Sequence, residues 1–331
     1  MILFLKFFIG LLIHHLINFF CNKKNFLLDN PNFSIHKELT RNKNLPLTGG
    51  ITFLILFLIF VDGFIELKIF GFLIFLIGLF SDLNIINSPK LRFFAQIITT
   101  VLFVSFFQNN IFFTDIYLID KFLENYYFSI FFTAFCLLIL INGTNFIDGL
   151  NGLVITYYII VLSILILTSN LFNLNIDLDL VANLVLILLI LLIFNLTNKN
   201  FLGDSGSYLI PYIIGSFLIT FYNQNQNISS LFIVLLLWYP AFEIFFSIIR
   251  KLVKKKNPFL PDRSHLHQKI FLKILNKNKN EFKSNLFTSF LINFYNIIIF
   301  FISINFINNS NLLFLVLTIN ISIYLISFYK T

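Results

Sequence analysis

The chain has 331 residues, 58% of them hydrophobic and only 11% charged, with a formal net charge of +8. A soluble domain would carry about a quarter charged residues, so the composition excludes an ordinary globular enzyme. Cys21 and Cys136 are too few and too far apart for a disulfide framework or a four-thiolate zinc site. The 48 phenylalanines come with abundant Ile, Asn and Lys. A bias toward A/T-rich codons explains them together, and no single Phe is assigned a function.

Residues 2–20 form the first apolar run. No small-residue cleavage site precedes Cys21, and "INFFC" lacks the small residues of a lipoprotein signal, so this run reads as a retained helix. Ten more runs follow, at about 49–62, 64–80, 93–107, 127–141, 153–169, 180–194, 207–221, 230–249, 286–307 and 311–328. The stretch 49–80 is short for two spans of ~20 residues, with Asp62-Gly63 as the turn between them. The expected fold is an all-α polytopic membrane protein of about 10–11 transmembrane helices, forming a single domain over 1–331.

The loops then separate by charge. Those at about 21–48, 81–92, 142–152, 195–206 and 250–285, with the C-terminus, hold 20 of the 23 basic residues. Lys6, Lys68 and Lys121 lie on the other side. The positive-inside rule makes the first set cytoplasmic and puts the N-terminus outside. Topology thus accounts for the net charge without any nucleic acid. The basic loops also suit anionic lipid or a phosphorylated substrate.

Every polar cluster with chemical character falls on that cytoplasmic side. In "SDLNIINSPKLR" (81–92), Asp82 ends a helix, and Lys90 and Arg92 open the next span, where basic groups meet a lipid phosphate. Anchoring charges are the plainer reading of the same residues. "NGTNFIDGLNG" (142–152) spaces Asn142, Asn145 and Asp148 at i, i+3 and i+6, on one broad helix face. Its glycines leave room for a ligand, and the two asparagines are candidate donors to sugar or phosphate oxygens.

"NLTNKNFLGDSGS" (195–207) begins at Asn195 and sets Asp204 between two glycines before a span. A helix start with small residues favours an anion or a metal-bound phosphate. It is not a phosphate-binding Gly-x4-Gly-Lys-Ser/Thr loop. "GDSG" also surrounds a serine-protease nucleophile, but no soluble β-barrel accompanies it here. In "RKLVKKKNPFLPDRSHLHQKI" (250–270), Arg263, His265 and His267 suit a diphosphate or a nucleobase better than zinc, which lacks a third ligand. His14 and His15 lie inside the first span, where neutral histidines satisfied within the bundle compete with a functional role.

Asp82, Asp148 and Asp204 on one membrane face would repel one another without a cation. Mg²⁺, with Mn²⁺ as an alternative, accepts one or two carboxylates plus substrate phosphates. The physical reading is metal-assisted phosphoryl transfer at the cytoplasmic surface. A membrane transporter is the competing class, but its charges should line a path at mid-bilayer. The CDP-alcohol phosphotransferases pack several aspartates into one motif, which "NFIDGLNG" lacks.

The ordered segments "LLDNPN" with "HK", "PLTGGI", "SPKLR", "NGTNFIDGLNGL", "FLGDSGS" and "PFLPDRSHLH" resemble the polyprenyl-phosphate N-acetylhexosamine-1-phosphate transferases. The likeness runs from about Leu28 to His267 and includes Glu243 after Pro240. It implies transfer of a sugar 1-phosphate from a UDP-N-acetyl sugar to polyprenyl (undecaprenyl) phosphate, releasing UMP and starting a cell-envelope glycan such as the O-antigen of lipopolysaccharide. It implies Mg²⁺ dependence, with Asp204 and Asp148 as metal residues and Asp82, Asp148 and Asp204 as catalytic ones. Asp82 would sit near the attacking lipid phosphate. Asn142, Asn145, Lys90, Arg92, Asn195, Lys37, Arg263, His265 and His267 would bind substrate.

The implied setting is the bacterial inner membrane, among membrane lipids, with a homodimer as a further arrangement. Attack by the lipid phosphate directly, or through a phosphorylated aspartate, are both open routes. Three positions depart from the family pattern. Ser81 stands where the family has the first of two aspartates, Gln268 where it has a histidine, and Asn151 where it has an aspartate. Lys199 is offset by one residue from a family lysine. These changes make an inactive UDP-sugar-binding relative the second alternative.

Overall fold

The computed structural model describes residues 2–29, 45–258 and 264–331. They form fourteen helices. The first three are α1 (Ile2–Lys24), α2 (Gly49–Phe60) and α3 (Ile65–Asp82). Next, α4 (Pro89–Phe107) leads through the short α5 (Tyr117–Leu123) to α6 (Tyr126–Ile147). Then come α7 (Leu153–Phe172), α8 (Leu178–Leu196), α9 (Gly203–Gln224), α10 (Ser230–Leu236) and α11 (Trp238–Val253). The chain closes with α12 (Leu266–Asn278), α13 (Glu281–Ile304) and α14 (Ser310–Lys330).

All eleven apolar runs read from the sequence are helical. Eight helices are long and apolar enough to cross a membrane, and α10 with α11 makes a ninth span bent by 76°. α2 has only 12 residues, which explains the tight 49–80 stretch. α3 has 18 residues and carries Glu66, Lys68 and Asp82. The protein is an all-α, multi-pass membrane protein. Many of its phenylalanines point outward, among them Phe94, Phe106, Phe131 and Phe294, as lipid-facing side chains should.

The bend has a covalent cause. Pro240 has no backbone N–H, so the carbonyl of Leu236 cannot receive its usual bond from four residues on. Tyr157 fills that vacancy, donating its hydroxyl to the Leu236 oxygen at 2.7 Å. On the other side, a Cβ at Gly143 would lie 2.2 Å from the Pro240 oxygen. α6 therefore presses directly on the bend.

α9 is the least apolar span and the most buried one. It packs against α2, α3 and α6. Its first turn enters between two backbones that carry no side chains at the contact. A Cβ at Gly50 would lie 2.4 Å from the Gly206 nitrogen, and one at Gly78 would lie 2.4 Å from the Ser205 Cα. The amides of Gly49 and Gly50 donate to the carbonyls of Phe201 and Leu202, each at 3.1 Å. Phe201 in turn donates to the Pro46 oxygen at 3.0 Å. The "PLTGG" segment is thus a slot for the start of α9. Ser205 is wholly buried against it, which removes it from consideration as a nucleophile.

The intramembrane histidine of the first span is accounted for within the bundle. His14 bonds Thr52 at 2.7 Å through Nδ1 and Asn18 at 3.0 Å through Nε2. Asn18 also accepts from Thr48. This buried chain fastens α1 to α2.

A substitution in the slot should be felt as overpacking. Gly78→Val is expected to destabilise the protein by about 3 kcal/mol, whereas Gly63→Val, with nothing within 4 Å of its Cβ but a left-handed φ of +69°, should cost about 1 kcal/mol. Thermal unfolding of the detergent-solubilised variants, followed by size-exclusion chromatography, reads the difference.

Candidate active site

The ends of α3 and α6 and the starts of α4 and α9 meet at one end of the bundle, around Asp204. This residue is the second in α9, directly after Gly203. Its Oδ2 accepts from Arg92 Nη1 at 2.8 Å and from the Ser81 hydroxyl at 2.6 Å. Its Oδ1 accepts from Asn145 Nδ2 at 3.0 Å. Arg92 also donates to Ser81. The Arg92–Asp204 pair sits at a rim, with each side chain 22% exposed.

Asp82 has a different position from the one expected. Both its oxygens accept backbone N–H groups at the start of α9: Oδ1 from Asp204 at 2.8 Å and Oδ2 from Ser205 at 3.0 Å. Those amides have no partner inside their own helix, and the helix dipole favours an anion there. Gly203 has a left-handed φ of +76°, and a Cβ on it would lie 2.7 Å from Asp82 Oδ2. In this geometry Asp82 anchors α9, instead of standing as a base beside an attacking phosphate. Asp82 and Asp204 do not face each other unscreened either. The first is held by helix amides and the second by Arg92, so repulsion between these two does not by itself demand a cation.

The asparagines of α6 also differ from the expectation that they donate to substrate oxygens. Asn145 Nδ2 donates to Asp204 Oδ1 and, at 2.8 Å, to the Ser207 hydroxyl. Asn142 Nδ2 donates to Gln96 Oε1 at 2.8 Å and to the Leu138 carbonyl at 2.9 Å. A carboxylate and a backbone carbonyl can only accept, so the orientation of both amides is fixed. Each NH₂ has two hydrogens and both are used. What the two residues offer a ligand is their carbonyl oxygens, which suit a cation, a hydroxyl or an N–H. Gln96 went unnoticed in the sequence, although it follows Arg92 by one helical turn.

Asp148 caps α6 and is partly exposed. The histidines lie beside it. His265 and His267 stack with ring centroids 5.7 Å apart and planes 15° apart. The Phe146 ring meets His265 edge-on at 5.3 Å. A Cβ on Gly149 would lie 2.9 Å from His267 Nε2, so the pair abuts the turn after α6. Nearby, burial and then the charges of Arg250 and Lys254 hold Lys269 below the usual lysine range.

Other expected residues stand further back. Lys90 is exposed at the start of α4. Asn195 is buried, accepting from Gly152 N at 2.6 Å and donating to the Asn200 oxygen at 3.1 Å. It fastens two loops together. Asn151 donates to Asn198, and its own amide donates to Asn285 Oδ1 at 2.8 Å. Lys37 and Arg263 lie outside the described residues.

Among the described residues no group of three or more His, Cys, Asp or Glu side chains is placed to hold a metal. Mg²⁺ asks for less, since it commonly takes one or two carboxylates and completes its shell with water and phosphate. Asp204, a carboxylate 22% exposed at the rim, fits that requirement, and the side chain of Asn145 that donates to it also carries a carbonyl oxygen.

The sequence profile of glycosyl transferase family 4 matches residues 64–222, which contain α3 through most of α9 and so Ser81, Arg92, Asn145 and Asp204. Just under half of the chain, 159 of its 331 residues, thus matches this family. The chain is also similar to an undecaprenyl-phosphate alpha-N-acetylglucosaminyl 1-phosphate transferase of Thermotoga maritima. The two are 28% identical over 253 residues, which is 76% of this chain and 75% of that protein. A probable undecaprenyl-phosphate N-acetylglucosaminyl 1-phosphate transferase of Bacillus subtilis is 27% identical over 206 residues, 60% of this chain and 56% of that protein.

The two aspartates should separate in a stability measurement. Asp82→Asn turns an NH₂ group toward a backbone N–H and is expected to cost about 1–3 kcal/mol. Asp204→Asn, whose partners reach solvent at the rim, should cost less than half of that. Thermal midpoints in detergent, compared with the parent, give the order.

Proposed function

We propose that this chain transfers a sugar 1-phosphate of the N-acetylhexosamine class from a UDP-linked donor to undecaprenyl or another polyprenyl phosphate. The products are UMP and a lipid-linked diphosphate sugar, the starting unit of a cell-envelope glycan. The observation that carries this reading is the convergence on Asp204 of Ser81, Arg92 and Asn145 from three other helices. The names of the relatives supply its chemical direction. The end bearing the site also bears most of the basic residues, which supports placing it on the cytoplasmic face of the inner membrane.

In this reading an oxygen of the acceptor phosphate bonds to the sugar-bearing phosphorus of the donor. The bond from that phosphorus to the oxygen it shares with UMP breaks, and its electron pair leaves with UMP. A lipid phosphate is already largely ionised at neutral pH, so no strong base is needed. Arg92 and Lys90 sit where the lipid phosphate would arrive, and Arg92 supplies a planar pair of donors to it. Asp204 and the Asn145 carbonyl oxygen would hold Mg²⁺, with Asp148 nearby. When bound, the ion would neutralise charge on the donor's diphosphate. Asp82 keeps the first turn of α9 in place, and so keeps Asp204 in register with α4 and α6. The Asn142 carbonyl oxygen is left to accept from a donor or acceptor hydroxyl or N–H.

The test is turnover by the purified protein with undecaprenyl phosphate, Mg²⁺ and a panel of UDP-N-acetyl sugars, following UMP and the lipid product. At least one donor should react, and chelation of Mg²⁺ should stop the reaction. Asp204→Asn should lose at least about 100-fold in turnover. If no donor yields lipid product, the transferase reading fails.

A further inference from the structure

A second hydrogen-bonded chain reaches the site from the far end of the sequence. Its centre is Glu243, which is fully buried in α11 three residues after the proline of the bend. Oε1 of Glu243 accepts from His265 Nδ1 at 2.9 Å and, more loosely, from the Leu266 amide at 3.4 Å. Oε2 accepts from the Tyr324 hydroxyl at 2.6 Å. Tyr324 belongs to α14 and is buried among the rings of Trp238, Phe242 and Phe246. α14 is held at its own end by Lys269, whose Nζ donates to the Phe328 oxygen at 2.7 Å. None of Glu243, His265 and Tyr324 lies within the residues matched by the family profile.

The chemistry of this chain runs one way. A carboxylate only accepts, so the proton on His265 Nδ1 faces Glu243 and the Nε2 edge is turned away from it. The ring is further fixed by its stack on His267 and its contact with Phe146. Without the Tyr324 hydroxyl, one oxygen of a wholly buried carboxylate would face aromatic carbon. Burying such an oxygen without a donor is costly, so the carboxylate would turn and release His265.

We propose that Tyr324 and Glu243 are positioning residues that fix the tautomer and direction of His265 toward the nucleotide diphosphate of the donor. The C-terminal helix α14 is thereby part of donor recognition. This inference rests on the transferase reading.

The experiment measures UDP affinity by calorimetry on the purified full chain in detergent with Mg²⁺. Tyr324→Phe keeps the ring and Glu243→Gln keeps the shape, so each is compared with the parent and again in a His265→Ala background. Each single variant is expected to weaken UDP binding about five- to tenfold. In the His265→Ala background neither should weaken it further, because their effect passes through His265. Unchanged affinity in both single variants, or the same fold-loss with and without His265, overturns the positioning role while leaving the transferase reading intact. A parent chain that binds no UDP overturns the transferase reading itself, and this inference with it.

Discussion

The site depends on the admission of one helix start into a slot made of backbone. The first turn of α9 lies between Gly50 and Gly78 at distances that leave no space for a side chain, and Asp82 receives two of its free amides. These contacts decide where Asp204 stands. They also explain why the least apolar span is the most buried: its glycines and serines are there for close approach, and α2, α3 and α6 supply its apolar surroundings. The shortness of α2 follows from the same arrangement, since half of the "PLTGGI" segment serves the slot and little is left to span a membrane.

Around that fixed point three carboxylates are each answered by donors of the protein. Asp82 is answered by helix amides, Asp204 by a guanidinium, a hydroxyl and an amide, and Glu243 by a histidine and a phenol. Ser81 acquires meaning here. At the position read from the sequence as departing from a pair of adjacent aspartates, this chain has a hydroxyl that donates to Asp204 and accepts from Arg92. A carboxylate at that position would compete with Asp204 for Arg92. With serine there, the hydroxyl bridges Arg92 and Asp204 and adds no charge to the pair.

Much of this was readable in the sequence. The apolar runs gave every long helix because backbone polar groups must pair internally in lipid, and the alternation of basic loops placed the polar motifs at one end. What the sequence hid were directions. The spacing of Asn142 and Asn145 put both on one face, but not which end of each amide a ligand would meet, because that depends on Gln96, Ser207 and Asp204 in other helices. Asp82 looked like a catalytic carboxylate because nothing local reveals that two amides 122 and 123 residues away will occupy it. Tyr324 gave no signal, being one aromatic among many in an apolar run. The loop-to-loop hydrogen bonds of Asn195 were equally invisible, since Gly152 lies 43 residues away.

That last residue has a chemical consequence. Asn-Gly pairs age by attack of the glycine nitrogen on the asparagine side chain, which expels ammonia and leaves a carboxylate. In the pair Asn151-Gly152 that nitrogen is bound to Asn195 Oδ1, and the threatened amide is itself bound to Asn198. Folding therefore protects this turn from deamidation, and the protection lasts as long as the two loops stay joined. A molecule that opens there would exchange a neutral donor for a negative charge beside Asn198, and could not close on the same hydrogen bond again.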